Sequence, residues 1–191
     1  LHLNLASPRI ELTTLADIPS GTGLGPSGSF TTALVRALFA FNQQHVTQTD
    51  VAEIACEVEI SKLKEPIGKQ DQYIAAFGGL TGFTFHRDGS VSAEAISLSR
   101  DTIYSLEDNL LLFFTGYSRS ASSILQEQKQ KTNDNDKNMI ESLHVAKELG
   151  YRSKDALEAG NLELFGKIMH EHWVNKQKRT TSMSNDNISK W

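Results

Sequence analysis

Residues 9–15, Arg-Ile-Glu-Leu-Thr-Thr-Leu, alternate apolar and polar side chains, which predicts a strand. The next stretch carries Pro19, Gly21, Gly23, Gly25, Pro26 and Gly28 and reads as a loop. Phe30, Ala33, Leu34, Ala37, Leu38 and Phe41 then recur at helical spacing with no Gly or Pro among them. A glycine-rich loop therefore runs directly into a helix N-terminus.

A second helix is marked by Asp50 as N-cap with Glu53 three residues on, and by the stripe Val51, Ile54, Ala55 and Val58. It is expected to fade before Pro66. Residues 67–79 read as a polar connection closed by Gly78-Gly79. Phe83 and Phe85, then Val91, Ala93 and Ala95, flank Arg87-Asp88-Gly89-Ser90, a β-hairpin signature. Leu110-Leu-Leu-Phe-Phe114 predicts a buried strand. Helical patterns follow at about 120–130, at 136–149 closed by Gly150, and at 161–178. The last places Phe165, Ile168, Met169, His172 and Trp173 on one face. No internal repeat and no long linker interrupts the pattern.

Composition narrows the function classes. A chain of 191 residues, 39% hydrophobic and 22% charged, can bury an ordinary core. Its net charge of −4 argues against a nucleic-acid or membrane-surface binder, which would carry a basic face. No apolar run approaches the ~20 residues that span a bilayer, and the first residues show no signal peptide. The single cysteine, Cys56, is expected to be buried and inert, and fits a reduced cytoplasm. A chain that opens on Leu1 reads as a piece of something longer.

The densest chemistry lies in Pro19-Ser-Gly-Thr-Gly-Leu-Gly-Pro-Ser-Gly-Ser29. A Walker A loop needs a Lys after its last glycine, and none stands there. Gly23, Gly25 and Gly28 match Gly-x-Gly-x-x-Gly, the dinucleotide fingerprint of an oxidoreductase, but Pro19 breaks the strand that should precede it. A plain turn capped by Ser27 and Ser29 is the structural alternative. The segment suits a triphosphate best. Glycines let the backbone approach an anion, amides and the helix dipole stabilise it, and Ser27 offers a hydroxyl to phosphate or Mg²⁺. Gly21, Thr22, Gly23, Leu24, Gly25, Ser27, Gly28 and Ser29 are thus the candidate phosphate-binding residues, which the resemblance below makes the candidate ATP-binding residues.

The pattern Pro-x-x-x-Gly-Leu-Gly-x-Ser-Gly-Ser resembles the second motif of the GHMP kinases, the superfamily of galactokinase and of homoserine, mevalonate and phosphomevalonate kinases. Pro26 departs from it, since many relatives have Ser there, and it removes one N–H and one hydroxyl from the cradle. In Ile67-Gly-Lys-Gln-Asp-Gln-Tyr-Ile-Ala-Ala-Phe-Gly-Gly79 the resemblance implies that Asp71 contacts the hydroxyl that attacks the γ-phosphate, as base or as orienter. It implies a metal-binding Glu twelve residues upstream, at Glu59, with Glu57 as the rival register. Mg²⁺ would then rest on Ser27 and Glu59. Lys69 is expected to pair with Asp71.

Phe114-Thr-Gly-Tyr-Ser-Arg-Ser-Ala-Ser122 and His170-Glu-His-Trp173 make the whole chain, from about residue 10, look like the D-glycero-D-manno-heptose 7-phosphate kinases. That resemblance implies an ATP-dependent transfer to the anomeric hydroxyl of the heptose 7-phosphate, feeding nucleotide-activated heptose for surface glycans such as lipopolysaccharide or capsule. Gly68, Lys69, Gln70, Tyr117 and Arg119 become candidate substrate contacts. Arg119 suits a phosphate, or else caps the next helix on the surface. Another sugar 1-kinase of fucose or galactose type, and a non-catalytic sugar sensor on the same fold, stay open. His170 and His172 point to different helix faces, so zinc is not expected. The implied fold is α+β and two-layered: part of a ribosomal protein S5 domain 2-like nucleotide-binding domain over 1–60, then part of a ferredoxin-like domain over 61–191. The implied partners are ATP and a sugar phosphate in the cytoplasm, with a homodimer allowed. Two further family motifs are expected before Leu1 and after Trp191.

Overall fold

The computed structural model describes residues 9–17, 23–113, 121–179, 184 and 188. They divide into two compact units, one within Leu1–Thr81 and Tyr117–Ser122, the other within Gly82–Gly116 and Ser123–Trp191.

The first unit is a helical cluster. Helix α1 (Pro26–Phe41) opens with Pro at its first position, where the missing N–H costs nothing. Helix α2 (Gln48–Cys56) starts at Thr47 rather than Asp50. Thr47 and Asp50 form a reciprocal capping box, so Asp50 is the third helical residue and Glu53 faces inward to the next helix. From Glu57 to Lys62 the helix widens into a π-turn, and the amide of Leu63 reaches the carbonyl of Val58. The expected polar connection then holds helix α3 (Gln70–Phe77). Sequence periodicity misses α3 because a polar residue stands on its inward face: Gln72 is wholly buried alongside Tyr73 and Ala76, while Gln70 and Asp71 are exposed. Val35, Val51, Ala52 and Ala55 complete this core, where α1, α2 and α3 pack on one another. The unit runs past residue 60 because the π-turn and α3 pack on α1 and α2.

The second unit contains the expected hairpin, β1 (Thr81–Phe85) paired with β2 (Val91–Ala95), turned through Asp88 and Gly89. Helix α4 (Arg100–Asn109), capped by Ser99, was not anticipated. Helix α5 (Ala121–Asn133) lies where helix was expected. Helix α6 (Lys137–Glu158) does not stop at Gly150. A mid-helix glycine costs only about 1 kcal/mol, and Leu149, Ala156 and Leu157 are buried on either side of it. The stop is Gly160, with φ +68°, a left-handed C-terminal position. Helix α7 (Leu162–Gln177) packs on α6 around Leu149, Ala156, Ile168 and Phe165. Met169 is exposed rather than on this buried face.

Two expected strands do not form among the described residues. Residues 9–16 join no sheet and leave Leu12 and Leu15 exposed; Leu110–Phe113 likewise lie unpaired and exposed, and Phe114 falls outside the described residues. Alternation and apolar runs give a segment the capacity to pair, but a strand needs a partner ladder to satisfy its backbone. No described helix is long and apolar enough to cross a membrane.

Candidate phosphate and cation site

The site lies where the N-termini of α1 and α3 meet. Gly23 and Gly25 both adopt left-handed backbone, φ +77° and +67°, which favours glycine. Gly25 is the N-cap of α1 and has no side chain to cap with. Its carbonyl takes the amide of Ser29 at 3.1 Å, while the helix itself offers no partner to the amides of Ser27 and Gly28. These two N–H groups, at the positive end of a helix, suit an anion. Leu24 and Ser29 lie exposed beside them. Gly21 and Thr22 lie outside the described residues, as do Tyr117 and Arg119.

Asp71 sits in the first turn of α3, directly against this loop. A Cβ on Gly25 would stand 3.5 Å from the Asp71 carboxylate, and one on Gly28 would stand 3.0 Å from the Asp71 carbonyl carbon and 3.1 Å from the Gln72 amide. The two helices approach this closely only because residue 28 has no side chain.

Glu59 reaches the same place from the π-turn. It is 1% exposed. Its Oε2 accepts from Ser27 Oγ at 2.8 Å and from Gln72 Nε2 at 2.7 Å, while its Oε1, also buried, makes no hydrogen bond. The widened turn explains the placement: one extra residue per turn swings Glu59 inward, and the amide of Glu65 returns to its carbonyl at 3.0 Å. Glu57, the alternative in sequence, is exposed and pairs with Lys62 at 3.6 Å.

Lys69 occupies the N-cap position of α3 without a side-chain capping bond, and its ion pair at 2.8 Å is with Glu53 rather than the expected Asp71. Tyr73 also donates to Glu53. Burial alone would raise the Glu53 carboxyl, but the hydrogen bonds from Lys69 and Tyr73, with the charge of Lys69, hold it below the usual range. The pair ties α2 to α3. Gly68 and Gln70 flank Lys69 on the surface. Burial, and secondarily the charge of Glu53, pushes the Cys56 thiol up to about 12. His172 in the second unit is held below its usual range by burial, then by Arg179 and Lys176.

Gln72 and Tyr73 carry no site signal in the sequence, and Glu53 reads there only as a capping residue. Two glutamines flank Asp71, but nothing in the pattern says which one turns inward.

Among the described residues no group of three or more His, Cys, Asp or Glu is placed to hold a metal ion. The donor set at this point is one hydroxyl and one carboxylate with an unsatisfied buried oxygen. That suits Mg²⁺, which keeps several waters and takes few protein ligands beside nucleotide phosphates.

Residues 2–79 match the family described as the GHMP kinases N terminal domain. The chain is 28% identical over 180 residues to D-glycero-alpha-D-manno-heptose 7-phosphate kinase of Campylobacter jejuni, covering 94% of this chain and 52% of that protein. It is 27% identical to the bifunctional fucokinase/GDP-fucose pyrophosphorylase of Arabidopsis thaliana, covering 96% of this chain and 18% of that protein. Among solved structures, a D-glycero-D-manno-heptose 1-phosphate kinase from Bacteroides thetaiotaomicron is similar with a TM-score of 0.69 and 28% identity, over 85% of this chain and 46% of that one. The chain thus spans about half the length of its heptose-kinase relatives and less of the fucokinase. The helices and small antiparallel sheet form part of an α+β GHMP kinase fold. Over residues 2–79 the chain is similar to the N-terminal domain of the GHMP kinases, and over most of its length it is similar to sugar kinases.

Proposed function

We propose that this chain is the nucleotide-binding and catalytic part of an ATP-dependent sugar kinase that phosphorylates the anomeric hydroxyl of a heptose 7-phosphate. The observation that carries the reading is the convergence of three groups from distant parts of the sequence. The α1 amides and Ser27, the buried carboxylate of Glu59 and the carboxylate of Asp71 meet where α3 abuts the glycine loop.

The chemistry asks for such a set. Phosphoryl transfer is mostly positioning and charge stabilisation. Gly23, Leu24, Gly25, Ser27 and Gly28 wrap the phosphates of ATP with backbone amides. When bound, Mg²⁺ would neutralise the β- and γ-phosphate oxygens. Glu59 and Ser27 are the residues that would hold it. The sugar hydroxyl oxygen forms the new bond to the γ-phosphorus, the bond from that phosphorus to the bridging oxygen breaks, and ADP leaves. Asp71 either takes the hydroxyl proton or orients it. Gly68, Lys69 and Gln70, which precede Asp71 in sequence, would contact the sugar.

The names of the relatives support a sugar substrate, and the heptose kinases among them favour the heptose branch. An ATP-coupled assay of the full chain against a panel of sugars and sugar phosphates tests it. Heptose 7-phosphate should be turned over far better than the same heptose without phosphate. Equal turnover of the two, or a preference for fucose, would assign a neutral sugar kinase instead; no ADP production with any sugar would leave a sugar sensor.

A further inference from the structure

The two oxygens of Glu59 are treated differently. Oε2 accepts two hydrogen bonds and Oε1 accepts none, although both belong to a side chain that is 1% exposed. A carboxylate held by one donor could turn about its last bond and exchange its oxygens. Here donors from two different helices, Ser27 of α1 and Gln72 of α3, meet on the same atom and define which oxygen stays open. Gln72 is itself fixed. It is 0% exposed, and while its Nε2 donates to Glu59 at 2.7 Å, its Oε1 accepts from the Cys56 thiol at 3.9 Å. Its backbone amide lies close against Gly28, 3.1 Å from where a Cβ there would stand. A buried glutamine spanning from a thiol to a carboxylate, next to the residue assigned to the sugar hydroxyl, has no packing need for its amide: Met or Leu would fill the space.

We propose that Gln72 is a positioning residue for a divalent cation, its amide acting with Ser27 to hold Oε2 of Glu59 so that Oε1 is the oxygen presented to the ion. This rests on the phosphoryl-transfer reading above. Partners that orient a ligating carboxylate typically matter by about 10–100-fold in metal affinity.

The test is Mn²⁺ binding to the full chain in the presence of a non-hydrolysable ATP analogue, followed by the electron paramagnetic resonance signal of free Mn²⁺. Glu59→Gln serves as reference. Gln72→Met keeps volume but removes both hydrogen bonds; Gln72→Asn, too short to reach, is the second variant should Met not fold. The expected result is a loss of about tenfold or more in Mn²⁺ affinity in a Gln72 variant. Its affinity for the analogue without metal should match wild type, whatever stability the lost buried hydrogen bonds cost. In turnover, the Mg²⁺ concentration for half-maximal rate should rise while kcat at saturating Mg²⁺ is kept. Wild-type Mn²⁺ affinity in a folded Gln72 variant, with binding lost in Glu59→Gln, would overturn the proposal and leave Glu59 as the cation residue. Parallel losses of stability and metal-free analogue binding would overturn it in favour of a purely structural role. Wild-type Mn²⁺ affinity in Glu59→Gln would overturn both the proposal and the cation reading of the site.

Discussion

Ser27 and Glu59, separated by 32 positions in the chain, are joined by a hydrogen bond of 2.8 Å from the serine hydroxyl to the glutamate carboxylate. One residue opens the first helix after the glycine loop; the other sits in the only π-turn of the described residues. Their contact brings a hydroxyl, a buried carboxylate and two helix N-terminal amides to one spot. Such a spot suits an anion and its counter-cation together.

The cation assignment separates two neighbouring acids. Glu59→Gln should raise the Mg²⁺ concentration needed for half-maximal rate by about tenfold or more. Glu57→Gln should leave it unchanged, since Glu57 is exposed and paired with Lys62. Initial rates against Mg²⁺ for the two variants decide it. The reverse pattern would move the cation site to the outer face of the π-turn.

Gly28 keeps the two helices in contact. In Gly28→Ala the new methyl would stand 3.0–3.1 Å from backbone atoms of Asp71 and Gln72, which cannot swing aside as a side chain can. Stability should fall by about 1–3 kcal/mol, the usual range for overpacking. Turnover should fall as well, since Asp71 is displaced from the loop. Chemical denaturation and kcat measured on the same preparation check this; an alanine variant with wild-type values of both would show that α1 and α3 are not held by this contact.

Glu53 gives a pH dependence of known sign. Its carboxyl is held below the ordinary value of 4.5, so the folded chain binds that proton more weakly than the unfolded chain does. The stabilisation is present above that ordinary value and is lost as pH falls through the lower folded value. Glu53→Gln should therefore be less stable than wild type at neutral pH, and the difference should shrink on acidification from about pH 5 to about pH 3. Denaturant midpoints across that range test it. A constant gap between the two proteins would mean that Lys69 and Tyr73 do not stabilise the ionised form.

The glycine loop, its helix, the hairpin turn and the helices near 121–133 and 162–177 were legible because each carries a local signal: glycines, a 3.6-residue period, Asp-Gly. Helix α3 was not legible, because Gln72 and Tyr73 spend their polar groups on partners brought in from α2 and the π-turn. No local pattern records such a partner. Gly150 misled for the opposite reason: its helix is kept by the burial of Leu149 and Ala156, a tertiary effect that outweighs propensity. The strand signatures at 9–15 and 110–114 report capacity to pair, and pairing depends on a second strand. At the site, the residue types of the loop pointed to Ser27 and the family resemblance to Glu59 and Asp71, but only folding shows that Ser27 and Glu59 touch and that Asp71 lies against Gly25 and Gly28.

The central claim is that Asp71 acts on the hydroxyl that receives the phosphoryl group, and Asp71→Asn tests it most directly. The substitution keeps size and the packing against Gly25 and Gly28, and removes the charge and the proton acceptor. Steady-state kinetics of the full chain with saturating heptose 7-phosphate and ATP should show a kcat lower by on the order of 10²–10⁴-fold if Asp71 is the general base, with KM for ATP nearly unchanged. A smaller loss would mark an orienting role, since the Asn carbonyl still accepts a hydrogen bond. Wild-type turnover in the Asn variant would contradict the account and leave the glycine loop as an ATP site without its catalytic partner.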